Sequence, residues 1–179
     1  MGKYVKVVDG LNSNAGNYRY KLNEVNIANN WNPKSQKGKD FGGFNYADEE
    51  CILRWLHRGN VIYDVELPKD ALVVEVEGAT KIYRSNKIII KNPRKIDDDL
   101  ALYYYKISKM PEKAYYAALG VVSIMNYRKT AYKILETRVN KNNINDVLEE
   151  WNYFINKKNR KNSNELVKEI DKYLNELKL

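Results

Sequence analysis

The stretch Lys87-Ile88-Ile89-Ile90-Lys91-Asn92-Pro93-Arg94-Lys95-Ile96-Asp97-Asp98-Asp99-Leu100 decides the fold, because the period of the apolar residues changes inside it. Up to about residue 92 the chain reads as short strands rich in Val and Ile; beyond Pro93 apolar residues recur every three or four positions. The three aspartates place negative charge where a helix N-terminus favours it, so a helix is expected to open there. The fold class implied is α+β: a small mixed or antiparallel sheet with one packed helix, followed by a helical C-terminal part. The strand-rich part takes residues 1–95 and the helical part 96–179, as two units or one continuous domain.

Working back from Pro93, Val61-Ile62-Tyr63-Asp64-Val65-Glu66-Leu67 alternates apolar and polar residues until Pro68 breaks it, and is the clearest strand. Leu72 to Glu77 and Lys87 to Ile90 supply two more, with Glu77-Gly78 and Ser85-Asn86 as turns between them. Tyr4-Val5-Lys6-Val7-Val8 is a first strand stopped by Asp9-Gly10. Phe41 to Tyr46 alternates aromatics around Gly42 and Gly43, and Asp48 is placed to cap a helix carrying Cys51, Ile52, Trp55 and Leu56. Five or six strands imply one sheet. Leu11 to Asp40 is mostly loop, with Tyr18 and Tyr20 alternating enough for one short strand. A long irregular segment inside a compact domain is uncommon and often functional, so Trp31, Lys34, Lys37 and Lys39 mark a candidate lid or binding loop.

Working forward, Pro111 suits the first turn of a second helix bearing Ala114, Tyr115, Ala118 and Leu119, with a break expected at Gly120. Tyr127 to Val139 is a third. A cap at Asn143 opens the strongest one, whose stripe is Ile144, Val147, Leu148, Trp151, Phe154 and Ile155. Asn162 and Glu165 form a capping pair for a last helix with Leu166, Ile170, Tyr173, Leu174 and Leu177.

At 179 residues, 44% hydrophobic and 30% charged, the chain is long enough to bury a core and falls among soluble globular proteins. No apolar run approaches the roughly 20 residues of a membrane-spanning helix, and the N-terminus lacks a secretory signal, so no membrane partner and a cytoplasmic location are expected. One cysteine and one histidine provide neither a disulfide nor a zinc site. Cys51 and His57, six apart on the predicted helix, lie on different faces and do not form a nucleophile and base. Asp97-Asp98-Asp99 is read as helix capping rather than a metal site, and no phosphate-cradling loop or dinucleotide fingerprint is present. No catalytic residue, metal or cofactor is assigned.

Thirty-one basic residues against 23 acidic ones give a net charge of +8, which favours an acidic protein surface, a nucleoprotein or nucleic acid as partner. Residues 1–99 hold 16 basic and 14 acidic residues and 100–179 hold 15 and 9, placing the excess in the C-terminal part. Candidate contacts are Lys34, Lys37 and Lys39; Tyr127, Arg128 and Lys129, with Tyr132 and Lys133, where rings interleave with cations; and the run Lys157, Lys158, Arg160 and Lys161. These four are expected to stay exposed, so that reversing their charge leaves folding almost unchanged. Two consecutive helices and a basic run across 127–161 also allow a helical DNA-binding module.

Gly42-Gly43-Phe44-Asn45-Tyr46, Val65-Glu66-Leu67-Pro68-Lys69-Asp70-Ala71 and Arg84-Ser85-Asn86-Lys87-Ile88-Ile89 give residues 41–90 a resemblance to a group of poorly characterised phage and giant-virus domains. The resemblance implies a mobile-element or phage origin, and with it an inhibitor of a host defence or nucleic-acid-handling factor acting in the host cytoplasm. The strand-helix-strand order also resembles, distantly, the NAD-binding half of mono-ADP-ribosyltransferases. That likeness implies an enzyme using NAD, with Lys6, Tyr20, Tyr46 and Arg84 as polar candidates around a cleft beneath the 11–40 loop. The chain departs from that family in lacking the Ser-Thr-Ser strand, and Glu75-Val76-Glu77 reads as the outer face of a strand.

Overall fold

A computed structural model of the chain describes residues 3–13, 18–35, 42–76 and 78–178. The chain separates into two compact units, one of Met1–Ile52 with Arg58–Ile96 and one of Leu53–His57 with Asp97–Leu179. The first is a sheet and the second is helical, so the protein is α+β.

The sheet has seven strands: β1 (Tyr4–Val8), β2 (Val25–Ile27), β3 (Phe44–Asp48), β4 (Val61–Glu66), β5 (Val73–Val76), β6 (Ile82–Ser85) and β7 (Lys87–Lys95). Their order is β2-β7-β4-β1-β3-β6-β5 and all neighbours are antiparallel. β1 is central and buried on both faces, which explains why it reads as nearly continuous Val. One residue, Asn86, separates β6 from β7, yet four strand steps separate them in the sheet. A flat sheet would put them about 19 Å apart at roughly 4.8 Å per step, whereas two residue steps of chain span about 7 Å. The sheet therefore curls until the β6–β7 corner closes it. Its concave face holds one apolar cluster: Val8, Tyr20, Phe44, Tyr46, Tyr63, Val65, Ile88 and Ile90.

Several sequence expectations are corrected here. Ser85-Asn86 turns the chain at this corner between β6 and β7, where the Asn86 N–H donates to the Leu72 carbonyl, its side-chain oxygen accepts from Leu72 N and its carbonyl accepts from Ala28 N. Pro93 does not end the strand, because β7 slips register opposite Ile62 and Asp64, and at that bulge proline forfeits no ladder bond. The segment 49–58 forms two short 3-10 turns, Glu49–Cys51 and Leu53–Arg58, instead of an α-helix. Asp48 caps neither; its carboxylate accepts from the Tyr83 hydroxyl at 3.2 Å. Tyr18 and Tyr20 flank an isolated bridge at Arg19, while Val25–Ile27, inside the expected loop, is the edge strand β2.

The helical unit contains α1 (Asp98–Ile107), α2 (Glu112–Ile124), α3 (Arg128–Arg138), α4 (Ile144–Trp151), which continues into a π-helical turn over Asn152–Asn156, and α5 (Glu165–Lys178). α2 is its axis, buried without interruption from Ala114 to Ser123. Gly120 is not a break. A Cβ there would stand 2.6 Å from the Phe154 ring, so the glycine is the notch that admits it. Asn126 (φ 58°) and Asn159 (φ 53°) end α2 and the π turn. In both, the next residue's N–H reaches five residues back, Tyr127 to the Val122 carbonyl at 2.9 Å and Arg160 to Ile155 at 2.8 Å, the Schellman arrangement.

The aspartate run is consumed by helix starts. Asp97 caps its own helix, accepting from Leu100 N at 2.9 Å. Asp98 reaches across to α3, which has no cap of its own, and accepts from Lys129 N, Thr130 N and the Thr130 hydroxyl at 2.8, 3.0 and 2.8 Å. Asp99 pairs with Lys129 at 2.7 Å. Two cap expectations are corrected. Asn143 does not cap α4; its side chain closes the preceding loop, donating to the Arg138 carbonyl and accepting from Asn140 N. The last helix is capped by Asn164, which accepts from Val167 N and donates to the Ser123 and Ile124 carbonyls.

Candidate functional site

In the sheet unit the four residues Lys6, Tyr20, Tyr46 and Arg84 are divided between two faces. β1 alternation points Lys6 into the concave face, where its cross-strand partner is Tyr63 and its ammonium lies 5.4 Å from the centre of the Tyr20 ring. Tyr46 is on the same face, packed edge-on to Tyr4 and stacked on Tyr83, while Tyr18, Tyr20 and Phe44 form a second ring cluster. Burial raises the Tyr20 and Tyr46 phenols and holds both protonated. Arg84 is paired in register with Asn45, not Tyr46, so it points to the other face. There it is buried, stacks over Trp31 at 5.9 Å and donates to the Ser35 carbonyl at 3.2 Å. A single four-residue pocket is therefore not formed, because alternation along β6 turns Arg84 away. Glu75 is exposed on edge strand β5. Lys34 is exposed, and Lys37, Lys39 and Glu77 lie outside the described residues.

In the helical unit the cations of α3 are engaged. Arg128 grips Glu169 with two hydrogen bonds of 2.6 and 3.0 Å, which together with the Tyr132 hydroxyl lower the Glu169 carboxyl below its ordinary range. Lys129 is held by Asp99 and Lys133 by Glu136. Tyr127 is buried and presents no ring for stacking on a base. Counting Asp97, Asp98 and Asp99, together with Arg54, in the helical unit removes the charge asymmetry between the two parts. The helical unit has 16 basic and 12 acidic residues and the sheet unit 15 and 11, so each carries +4.

The run after α4 is different. Lys157 and Lys158 are exposed, and among the described residues no carboxylate pairs with them or with Arg160. The π turn sets two rings beneath these cations: Lys157 lies 5.4 Å from the centre of Tyr153, which is 54% exposed, and Arg160 stacks at 4.4 Å on Phe154. The edge of His57 meets Phe154 as well. Lys161 behaves otherwise. It pairs at 3.0 Å with the buried Asp171, whose other oxygen accepts from the Trp151 indole at 2.9 Å. Reversing all four charges would thus disturb folding at Lys161, contrary to the sequence expectation. Tyr153 and Asp171 were not singled out by sequence; the i, i+4 spacing of Tyr153 and Lys157 was the available signal.

Cys51 is half-buried and desolvation raises its thiol, the opposite of an activated nucleophile. His57 belongs to the helical unit and Cys51 to the sheet unit. Among the described residues no three His, Cys, Asp or Glu side chains are grouped to hold a metal ion, and no helix is long and apolar enough to cross a membrane. No family model matches the chain, and neither does any curated protein or solved structure.

Proposed function

We propose that the protein is a non-catalytic binder that engages an acidic partner surface, a protein or nucleoprotein, through the turn Tyr153 to Arg160. The observation that carries this reading is the contrast between cations: those of α3 are spent on carboxylates of their own unit, whereas Lys157 and Arg160 rest on aromatic rings and Lys158 beside them is exposed. An ammonium over a ring keeps its full charge and its donors for a partner, while exposed Tyr153 adds flat area at little entropic cost. The resemblance of residues 41–90 to phage and giant-virus domains supports a mobile-element protein, and with it a host defence or nucleic-acid-handling factor as the partner, met in the host cytoplasm.

The test uses two polyanion probes, poly-glutamate and a 20-nucleotide single strand, titrated by fluorescence anisotropy at several salt concentrations. The Lys157→Glu/Lys158→Glu protein is compared with the wild type, leaving Lys161 and its structural pair untouched. Two lost contacts on a single strand remove roughly 1.4 from the log-log salt slope. A slope unchanged in the variant for both probes rejects the reading. A poly-glutamate preference supports a protein surface, and a preference for the strand supports the nucleoprotein form.

A further inference from the structure

Lys6 is placed where a lysine is costly. It lies on a strand buried on both faces, is 9% exposed itself, and sits between Tyr63 on β4 and the β3 strand. Its ammonium makes one hydrogen bond, to the Asn45 carbonyl at 2.6 Å, and among the described residues no carboxylate pairs with it. Two of its three protons therefore have no acceptor there. Desolvation is severe enough to lower its pKa to about 8. The same face holds a second unspent donor. The Tyr46 hydroxyl is enclosed and makes no hydrogen bond of normal geometry, with Ser85 beside it donating to the Lys87 carbonyl at 2.8 Å.

A methionine would fill the same volume without burying a charge, and replacing buried ionic groups by apolar ones of similar size is commonly neutral or stabilising. The lysine thus adds only charge and hydrogen-bond donors to the concave face, and beyond the Asn45 carbonyl those meet no acceptor among the described residues. We propose that the concave face of the curled sheet binds the oxyanion end of a small molecule, a carboxylate or a phosphate, anchored by the Lys6 ammonium. An anionic oxygen is the one partner that satisfies the charge and the free protons together. The surrounding rings of Tyr20, Phe44, Tyr46 and Tyr63 are buried and exclude water, which strengthens the ion pair. This site uses no residue of the basic turn, so it stands or falls separately from the proposed function.

The probes are inorganic phosphate, adenosine 5′-monophosphate and benzoate, each at millimolar concentration, with sodium chloride at matched ionic strength as control. Two readouts are taken on the whole chain: the thermal midpoint, and the titration of the Lys6 side-chain NMR signal. At least one probe should raise the midpoint and move the Lys6 titration upward, and both effects should vanish in Lys6→Met. That variant is expected to fold at least as stably as the wild type, so loss of response is not loss of fold. Benzoate alone succeeding identifies a carboxylate ligand, and phosphate or the nucleotide a phosphate ligand. Silence from all three, a response that survives in Lys6→Met, or an equal effect from chloride overturns the proposal.

Discussion

Replacing Asp98 by alanine should destabilise the helical unit far more than replacing either neighbour, although the three aspartates are adjacent and identical in type. Asp98 supplies the cap that α3 lacks, since Tyr127 at its start offers no side-chain acceptor. The carboxylate takes the N–H groups of Lys129 and Thr130, and Thr130 is fully buried, so water does not replace the lost acceptor there. Its hydroxyl keeps one partner, the Asp98 backbone carbonyl at 3.1 Å, which limits the loss. A lost cap costs about 1 kcal/mol and up to about 2, and bonds to a charged acceptor sit at the upper end, so about 2 kcal/mol is expected. Asp97→Ala removes the single capping bond of α1 and should cost about 1 kcal/mol. Asp99→Ala removes a pair whose side chains are 62% and 75% exposed, worth about 0.5 kcal/mol or less. Urea unfolding followed by tryptophan fluorescence measures all three, with Trp55 and Trp151 reporting the helical unit. If Asp98→Ala proves no worse than Asp99→Ala, the cross-helix cap does not operate and the reasoning is wrong.

The remaining predictions concern single contacts. Lys6 has a folded pKa of about 8 against an ordinary 10.5, so the unfolded chain binds more protons between those values and wild-type stability should rise with pH across that window. Relative to Lys6→Met, which cancels the tyrosine titrations, the rise should approach roughly 3 kcal/mol between pH 8 and 10.5, and a flat difference in urea midpoints refutes the burial of an unpaired ammonium. Lys161→Glu should lower stability by about 1 to 2 kcal/mol by setting a like charge against buried Asp171, whereas Lys158→Glu should leave it within about 0.5; equal thermal midpoints would show that the Lys161 contact is not made. Gly120→Ala should cost about 1 to 3 kcal/mol because its Cβ meets the Phe154 ring, and the double variant Gly120→Ala/Phe154→Ala should cost less than the sum of the single changes in a denaturation cycle. Asn126→Gly should be neutral or stabilising and Asn126→Val destabilising by more than about 1 kcal/mol, which chemical denaturation distinguishes.

What the sequence determined by itself was whatever depends on near neighbours in the chain. The period of two in Val61 to Glu66 and of three to four in Ile144 to Trp151 reports which face of each element is buried, so element type and the α+β class were legible. Asp97 was legible as a cap because capping is local. Tertiary structure decided the rest, because the relevant partners are far apart in sequence. Asp98 caps a helix that begins 30 residues later, and Gly120 is a notch only because Phe154 lies against it. Asn86 turns a corner only because the strands on either side of it, four steps apart in the strand order, are brought together by the curl of the sheet. The candidate sites divide in the same way. The run Lys157 to Lys161 was visible as charge, but which cations remain available depended on whether Asp171, Glu169 or Asp99 reached them, a matter of helix packing. Lys6, Tyr20, Tyr46 and Arg84 were recognisable as polar residues near one strand group, yet register alone separates Arg84 from the others, since a one-residue difference in a strand selects the opposite face. The unspent charge of Lys6 had no sequence signature, because a lysine in an alternating strand looks solvent-facing until a curled sheet encloses it.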